Sequence, residues 1–102
     1  MWQYVTEFEE KIAEYAGSEY AVAMDSCTNA IFMSARYLRK RYMWKQPQII
    51  LPKQTYVSVP QMLWHLGYWL RFEDFKWKGL YPIKPLNIVD SACRFTKDMY
   101  IP

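Results

Sequence analysis

Ser26, Cys27 and Thr28 lie between a short apolar run, Tyr20–Met24, and an amphipathic segment that starts at about Thr28. If that segment is a helix, its first amides have no partner within the helix. Together with the helix dipole they favour an anion, and the two hydroxyls add donors for phosphate oxygens. Ordinary capping by Ser26 or Thr28 is the alternative. Asp90 ends another apolar run, Leu86–Val89. A carboxylate there is costly to bury without a partner. A protonated pyridine nitrogen is one such partner, and keeping it protonated makes the ring an electron sink. A helix cap, or a salt bridge to Arg94, is the other reading. Tyr56 comes four residues after Pro52, where its ring can stack on a planar cofactor or pack into a core. Ser58 can add a phosphate or ring contact, or cap a helix that Pro60 begins.

The remaining reactive side chains say less. Cys27 and Cys93 are too few for a disulfide framework. A thiol at a helix start can have a lowered pKa, but Cys27 also serves as a small residue that permits close backbone approach. His65 is the only histidine, so a metal site is not expected. Nothing in the spacing supports a Cys27/His65 or Cys93/His65 nucleophilic pair.

Several elements must position these residues. Val5, Phe8, Ile12 and Tyr15 recur at helical spacing, and Thr6-Glu7-Phe8-Glu9 fits a capping box, with Gly17 ending the helix. Tyr20–Met24 reads as a strand buried on both faces. A second helix is expected from about Thr28 to Tyr42, with Ile31, Ser34, Ala35, Leu38 and Tyr42 on one face. Gln48–Leu51 reads as the next strand, followed by a short helix from Pro60 to Leu66 that Gly67 ends. Tyr68–Phe72 is a third strand, residues 73–85 an irregular crossing, and Leu86–Val89 a fourth strand. This alternation predicts an α/β fold: three layers around a mostly parallel sheet. In such sheets ligands bind beyond the carboxyl ends of the strands. The turns at 25–29, 52–58 and 90–93 leave those ends.

At 102 residues the chain is the size of one small domain. With 52 % hydrophobic and 19 % aromatic residues it is too apolar for a disordered chain. So small an interior cannot hide every aromatic, so some are expected to face another subunit or further chain. The net charge of +3 is modest. Arg36, Arg39, Lys40 and Arg41 cluster, most simply as a solvated helix face. No apolar run is long enough for a membrane span, and no secretory leader is evident, so a cytoplasmic setting is expected.

Three segments together resemble the DegT-type (DegT/StrS) sugar aminotransferases. Glu7–Gly17 followed by Tyr20–Ala23 resembles the opening helix and first strand of that family. Asp25-Ser26-Cys27-Thr28-Asn29-Ala30 resembles its Ser-Gly-Thr phosphate turn, and Leu51-Pro52-Lys53-Gln54-Thr55-Tyr56-Val57-Ser58 its Pro-x-x-Thr-aromatic segment. Val89-Asp90-Ser91-Ala92 matches its strand-ending aspartate. The resemblance covers about Glu7 to Tyr100.

It implies the large domain of a fold-type-I enzyme that uses pyridoxal 5'-phosphate, working as a homodimer in sugar biosynthesis. An amino group would pass from a donor such as glutamate to a nucleotide-linked keto sugar. Ser26 and Thr28 would hold phosphate, Tyr56 would stack, and Asp90 would hold the pyridinium. Cys27 stands where the family has glycine, which puts a glycine-only backbone conformation in question. Cys93 stands where the family has glutamine or histidine against the cofactor. The crossing at 73–85 is short and lacks the expected helix. Lys97 lies only seven residues past Asp90 and lacks the motif of the Schiff-base lysine. That lysine and the small domain are therefore expected beyond Pro102, and these residues alone are not expected to catalyse transamination.

A rival reading is a non-catalytic α/β module that holds a protein or nucleic acid with its aromatics and the Arg36–Arg41 cluster. Against it, Trp64, Trp69, Trp77 and Tyr81 fall outside the basic helix.

Overall fold

The computed structural model describes residues 2–42 and 48–101. Three helices and four short strands follow in the order α1 (Trp2–Ala16), α2 (Cys27–Tyr42), β1 (Gln48–Pro52), α3 (Ser58–His65), β2 (Trp69–Glu73), β3 (Tyr81–Pro82) and β4 (Val89–Asp90).

Strand β1 is the centre of the molecule. Alternation puts Ile49 and Leu51 fully inside. It pairs in parallel with β2, Gln48 opposite Trp69 through Pro52 opposite Glu73. Its other edge meets Lys84 in an antiparallel bridge, where Ile50 N–H donates to the Lys84 carbonyl at 2.8 Å. Lys84 lies in the hairpin that joins β3 to β4, in which Tyr81 stands opposite Asp90 and Pro82 opposite Val89. The described sheet is therefore one parallel pair and one antiparallel pair. The mixed α/β class is met, but the expected run of mostly parallel strands is not, because the short 81–90 connection can only fold back as a hairpin. A parallel return needs a crossover of a dozen or more residues.

One apolar cluster unites these parts: Ile31 and Ala35 of α2, Val59 and Leu63 of α3, Ile49 and Leu51 of β1, with Tyr81, Ile83 and Leu86 from the hairpin. Helices α2 and α3 pack on each other. Tyr68, buried just before β2, donates its hydroxyl to the Ala35 carbonyl at 2.8 Å. Leu66 and Gly67 close α3 in a Schellman motif. Gly67 has φ +91°, its N–H reaches the Trp64 carbonyl at 2.9 Å, and Tyr68 N–H reaches the Leu63 carbonyl at 3.2 Å. Gly17 (φ +78°) closes α1 by the same arrangement.

Two expected elements differ. Helix α1 starts at Trp2, so Thr6 is interior and caps nothing; its hydroxyl donates to the Trp2 carbonyl at 3.0 Å. No acidic residue occupies the first turn, and Glu9 Oε2 instead accepts from Ala23 N–H at 2.7 Å. Tyr20–Met24 is not a strand. Its Tyr20 and Val22 side chains are 78 % and 77 % exposed, because no strand among the described residues pairs with it. The crossing at 73–85 is irregular apart from β3 and contains no helix, as expected. Arg41 and Tyr42, assigned to the basic cluster and to the buried face of α2, have side chains outside the described residues.

Candidate functional site

The turn at 25–29 is built by hydrogen bonding around the start of α2. Ser26 Oγ accepts from Asn29 N–H at 3.1 Å, and the Ser26 carbonyl accepts from Ala30 N–H at 3.0 Å. Ser26 is thus the N-cap. Asp25 braces the turn by accepting from Asn29 Nδ2 at 2.6 Å. Capping engages Ser26 Oγ with a protein amide, but the amides of Cys27 and Thr28 precede the intrahelical ladder.

Cys27 is the first residue of α2 and has no positive φ; among the described non-glycine residues only Asp98 has one. No glycine-only conformation is needed here, so the cysteine costs the turn no backbone strain. The side chain nevertheless changes the site. Burial pushes the Cys27 thiol up, and the nearby Asp90 carboxylate and Cys93 add to the shift. The lowered pKa possible at a helix start is therefore reversed. Asp90 and Cys93 are therefore near enough to act on the Cys27 thiol. His65, exposed at the end of α3, is not among the groups that act on this thiol.

The second turn approaches the first through a hydroxyl pair. Thr28 Oγ1 and Ser58 Oγ are 3.0 Å apart and half-buried. Ser58 begins α3, yet Val57 holds the N-cap position without any side-chain capping bond. Ser58 is therefore spent on Thr28 rather than on capping. Tyr56 lies two residues earlier with its ring 72 % exposed. The core does not claim that ring, so core packing does not explain it.

Asp90 closes β4, half-buried, and Oδ1 accepts from Ala92 N–H at 3.1 Å. That bond holds the carboxylate over the turn at 91–93, on which Cys93 is exposed. Thr28 and Ser58 are joined by a direct bond, Asp90 and Cys93 act electrostatically on Cys27, and Ser26 caps the helix on which Cys27 and Thr28 lie. Tyr56 adjoins Ser58 through the backbone, with its ring exposed.

Two residues escaped the sequence reading. Tyr81 is buried, and its hydroxyl bonds Thr55 Oγ1. Burial pushes the Tyr81 phenol up to about 12; the Thr55 bond opposes this, and Asp90 reinforces it by charge and hydrogen bonding. Trp77 packs on Tyr81 with centroids 4.7 Å apart and donates its indole N–H to the Gln54 carbonyl at 2.7 Å. Both rings are engaged internally and are not free to stack bases, which weakens the binding-module reading. The one local signal for Tyr81 was its place in Leu80-Tyr81-Pro82-Ile83, where alternation puts Tyr81 and Ile83 on one face.

The donor set suits a phosphorylated pyridine. One end has amides at a helix start and two hydroxyls, and the other a half-buried carboxylate with an oxygen to spare. Among the described residues, no group of three or more His, Cys, Asp or Glu could hold a metal ion. No helix among them is long and apolar enough to cross a membrane.

No curated protein and no solved structure matches the chain. The family model described as the DegT/DnrJ/EryC1/StrS aminotransferase family matches residues 1–97. The match spans nearly the whole sequence, and the chain belongs to the DegT/DnrJ/EryC1/StrS aminotransferase family.

Proposed function

We propose that these residues form the N-terminal portion of the large domain of a pyridoxal-phosphate-dependent aminotransferase that aminates a nucleotide-linked keto sugar. The observation that carries this reading is the Thr28–Ser58 hydroxyl pair at the start of α2, with Asp90 close enough to act on the neighbouring Cys27 thiol. When bound, pyridoxal phosphate supplies an electron sink for cleavage of a bond at the amino-bearing carbon.

The chain's own residues bind and orient that group. Cys27 and Thr28 offer backbone amides to the phosphate, and Thr28 and Ser58 offer hydroxyl protons. Ser26 shapes the turn and adds a hydroxyl at its rim. Tyr56 is free to cover one face of the ring. Asp90 would accept a hydrogen bond from the protonated ring nitrogen and so keep the proton on that nitrogen. Cys93, on the turn beside that carboxylate, would line the ring.

None of the lysines present is assigned covalent attachment of the cofactor in this reading. A cytoplasmic homodimer and an amino donor such as glutamate complete the proposal.

The test is cofactor binding by the chain itself. Pyridoxal phosphate titrated against wild type and Asp90→Asn, followed by tryptophan fluorescence, should show saturable binding that the variant loses by tenfold or more, on the order of one charge-assisted hydrogen bond. Equal binding by both would remove Asp90 from the site. Salt-sensitive oligonucleotide binding with no cofactor binding would favour the binding-module reading instead.

A further inference from the structure

The Tyr81 hydroxyl has no task in the site described so far, yet its surroundings are specific. The ring is 1 % exposed and lies against Trp77. Burying a phenol is costly unless its hydroxyl is bonded, and this one bonds Thr55 Oγ1, in the turn that carries Tyr56 and Ser58. In the β3–β4 ladder Tyr81 stands directly opposite Asp90. Directly opposed residues of an antiparallel pair project from the same face, so the two side chains share one face of the hairpin, where Asp90 acts on the phenol. A carboxylate can only accept. Either hydroxyl can donate in the Thr55–Tyr81 bond; when Thr55 donates, the phenol proton is free to turn toward Asp90.

We propose that Tyr81 is a positioning residue: tied to Thr55, its phenol holds the Asp90 carboxylate of β4 in fixed relation to the 52–58 turn. The anionic end of the crevice and its hydroxyl wall then keep one separation, although they come from segments distant in sequence. The ligand served is that of the proposed function, and to that extent the inference rests on it. The positioning itself does not depend on any ligand.

The test therefore has one arm without cofactor. In a Cys93→Ser background, alkylation of Cys27 by iodoacetamide against pH reports the charge that the Asp90 carboxylate places on the thiol. Asp90→Asn should move that profile to lower pH and speed alkylation below the thiol pKa. If Tyr81 holds Asp90, this acceleration changes by at least about twofold when Tyr81→Phe or Thr55→Val is also present, the lower end for residues that share a network. Thr55→Val breaks the bond from its other side and leaves the buried ring in place, so the test survives if Tyr81→Phe folds poorly. The same acceleration in all three backgrounds overturns the proposal.

In the second arm, pyridoxal phosphate should bind Tyr81→Phe and Thr55→Val roughly fivefold more weakly than wild type, about the worth of one hydrogen bond. Coupled thiol profiles together with no cofactor binding by wild type would support the positioning and sink the functional reading. Unchanged cofactor affinity in both variants, with wild type binding, overturns the role of the positioning in the site.

Discussion

Hydroxyl pairs decide the geometry of the crevice at the level of single residues. Thr28 and Ser58 are 30 residues apart in sequence and share one bond. Thr28→Val keeps the shape of the side chain and removes the hydroxyl, leaving the half-buried Ser58 without its partner. Cofactor or inorganic phosphate should bind about fivefold more weakly. Ser58→Ala in the Thr28→Val background should then cost less than it does alone, because the pair acts as a unit. Isothermal titration of the four proteins checks this; additive losses would mean that the two hydroxyls contact the anion independently.

Tyr81 also makes a prediction about pH. Its folded pKa is raised to about 12 from the ordinary phenol value of 10.0. Above the unfolded value the unfolded chain releases the proton first, so its contribution is fully present below pH 10 and is lost as pH rises through 12. Tyr68 is also raised by burial and acts in the same direction, although Arg39 opposes it. Thermal denaturation across this window should show Tm falling less steeply in Tyr81→Phe than in wild type. Parallel falls would mean that Tyr81 titrates normally.

At the scale of elements, two glycines place turns where side chains could not. Gly67 ends α3 with φ +91°, and an added Cβ would meet the end of the Arg39 side chain at 3.3 Å, which can move aside. Gly79 has φ +81°, but an added Cβ would lie 2.7 Å from Arg94 Cβ, beside the backbone of the turn after β4. Gly67→Ala should therefore cost about 1 kcal/mol, the left-handed penalty alone. Gly79→Ala should cost more, because the 91–94 turn must shift as well. It should also alter Cys93 reactivity, which Gly67→Ala leaves unchanged. Urea denaturation and thiol alkylation distinguish the two; equal costs would show that the Arg94 turn yields freely.

Helices α2 and α3 and strand β1 were legible from periodicity and from Gly67, because each buries a regular stripe in the core they share. The capping box at Thr6 was misleading: the same residues fit the interior of a helix that begins four residues earlier. Local pattern does not distinguish the two when Glu9 has a partner as remote as Ala23.

Across the whole molecule, much apolar surface remains uncovered. Trp2 is 84 % exposed, Tyr4 74 % and Phe8 57 % on α1, where only Ala13 is buried. The radius of gyration is 14.4 Å, against about 13 Å for a compact domain of this length. Helix α1 is held mainly at its C-terminal end, where Asp98 and Tyr100 amides bond the Tyr15 and Ala16 carbonyls at 2.8 and 2.9 Å and Tyr15 stacks on Phe95. Exposed apolar area of this extent drives association. Sedimentation of the chain should show self-association that rises with concentration, and Phe8→Glu should shift it toward monomer. A monomer at all concentrations would remove the homodimer from the proposed function.

The sequence by itself determined which segments carry chemistry. Polar turns after apolar runs, a proline and a glycine at the ends of a helix, and an aspartate closing a strand are all local features, and each is visible in a window of a few residues. Only the tertiary structure decided what those segments meet. Tyr20–Met24 has the composition of a buried strand, but a strand exists through the partner it bonds, and none is there among the described residues. Thr55 and Tyr81 became part of the candidate site through a bond spanning 26 residues. Such a bond depends on how the hairpin lies against β1, and no periodicity along the chain encodes it.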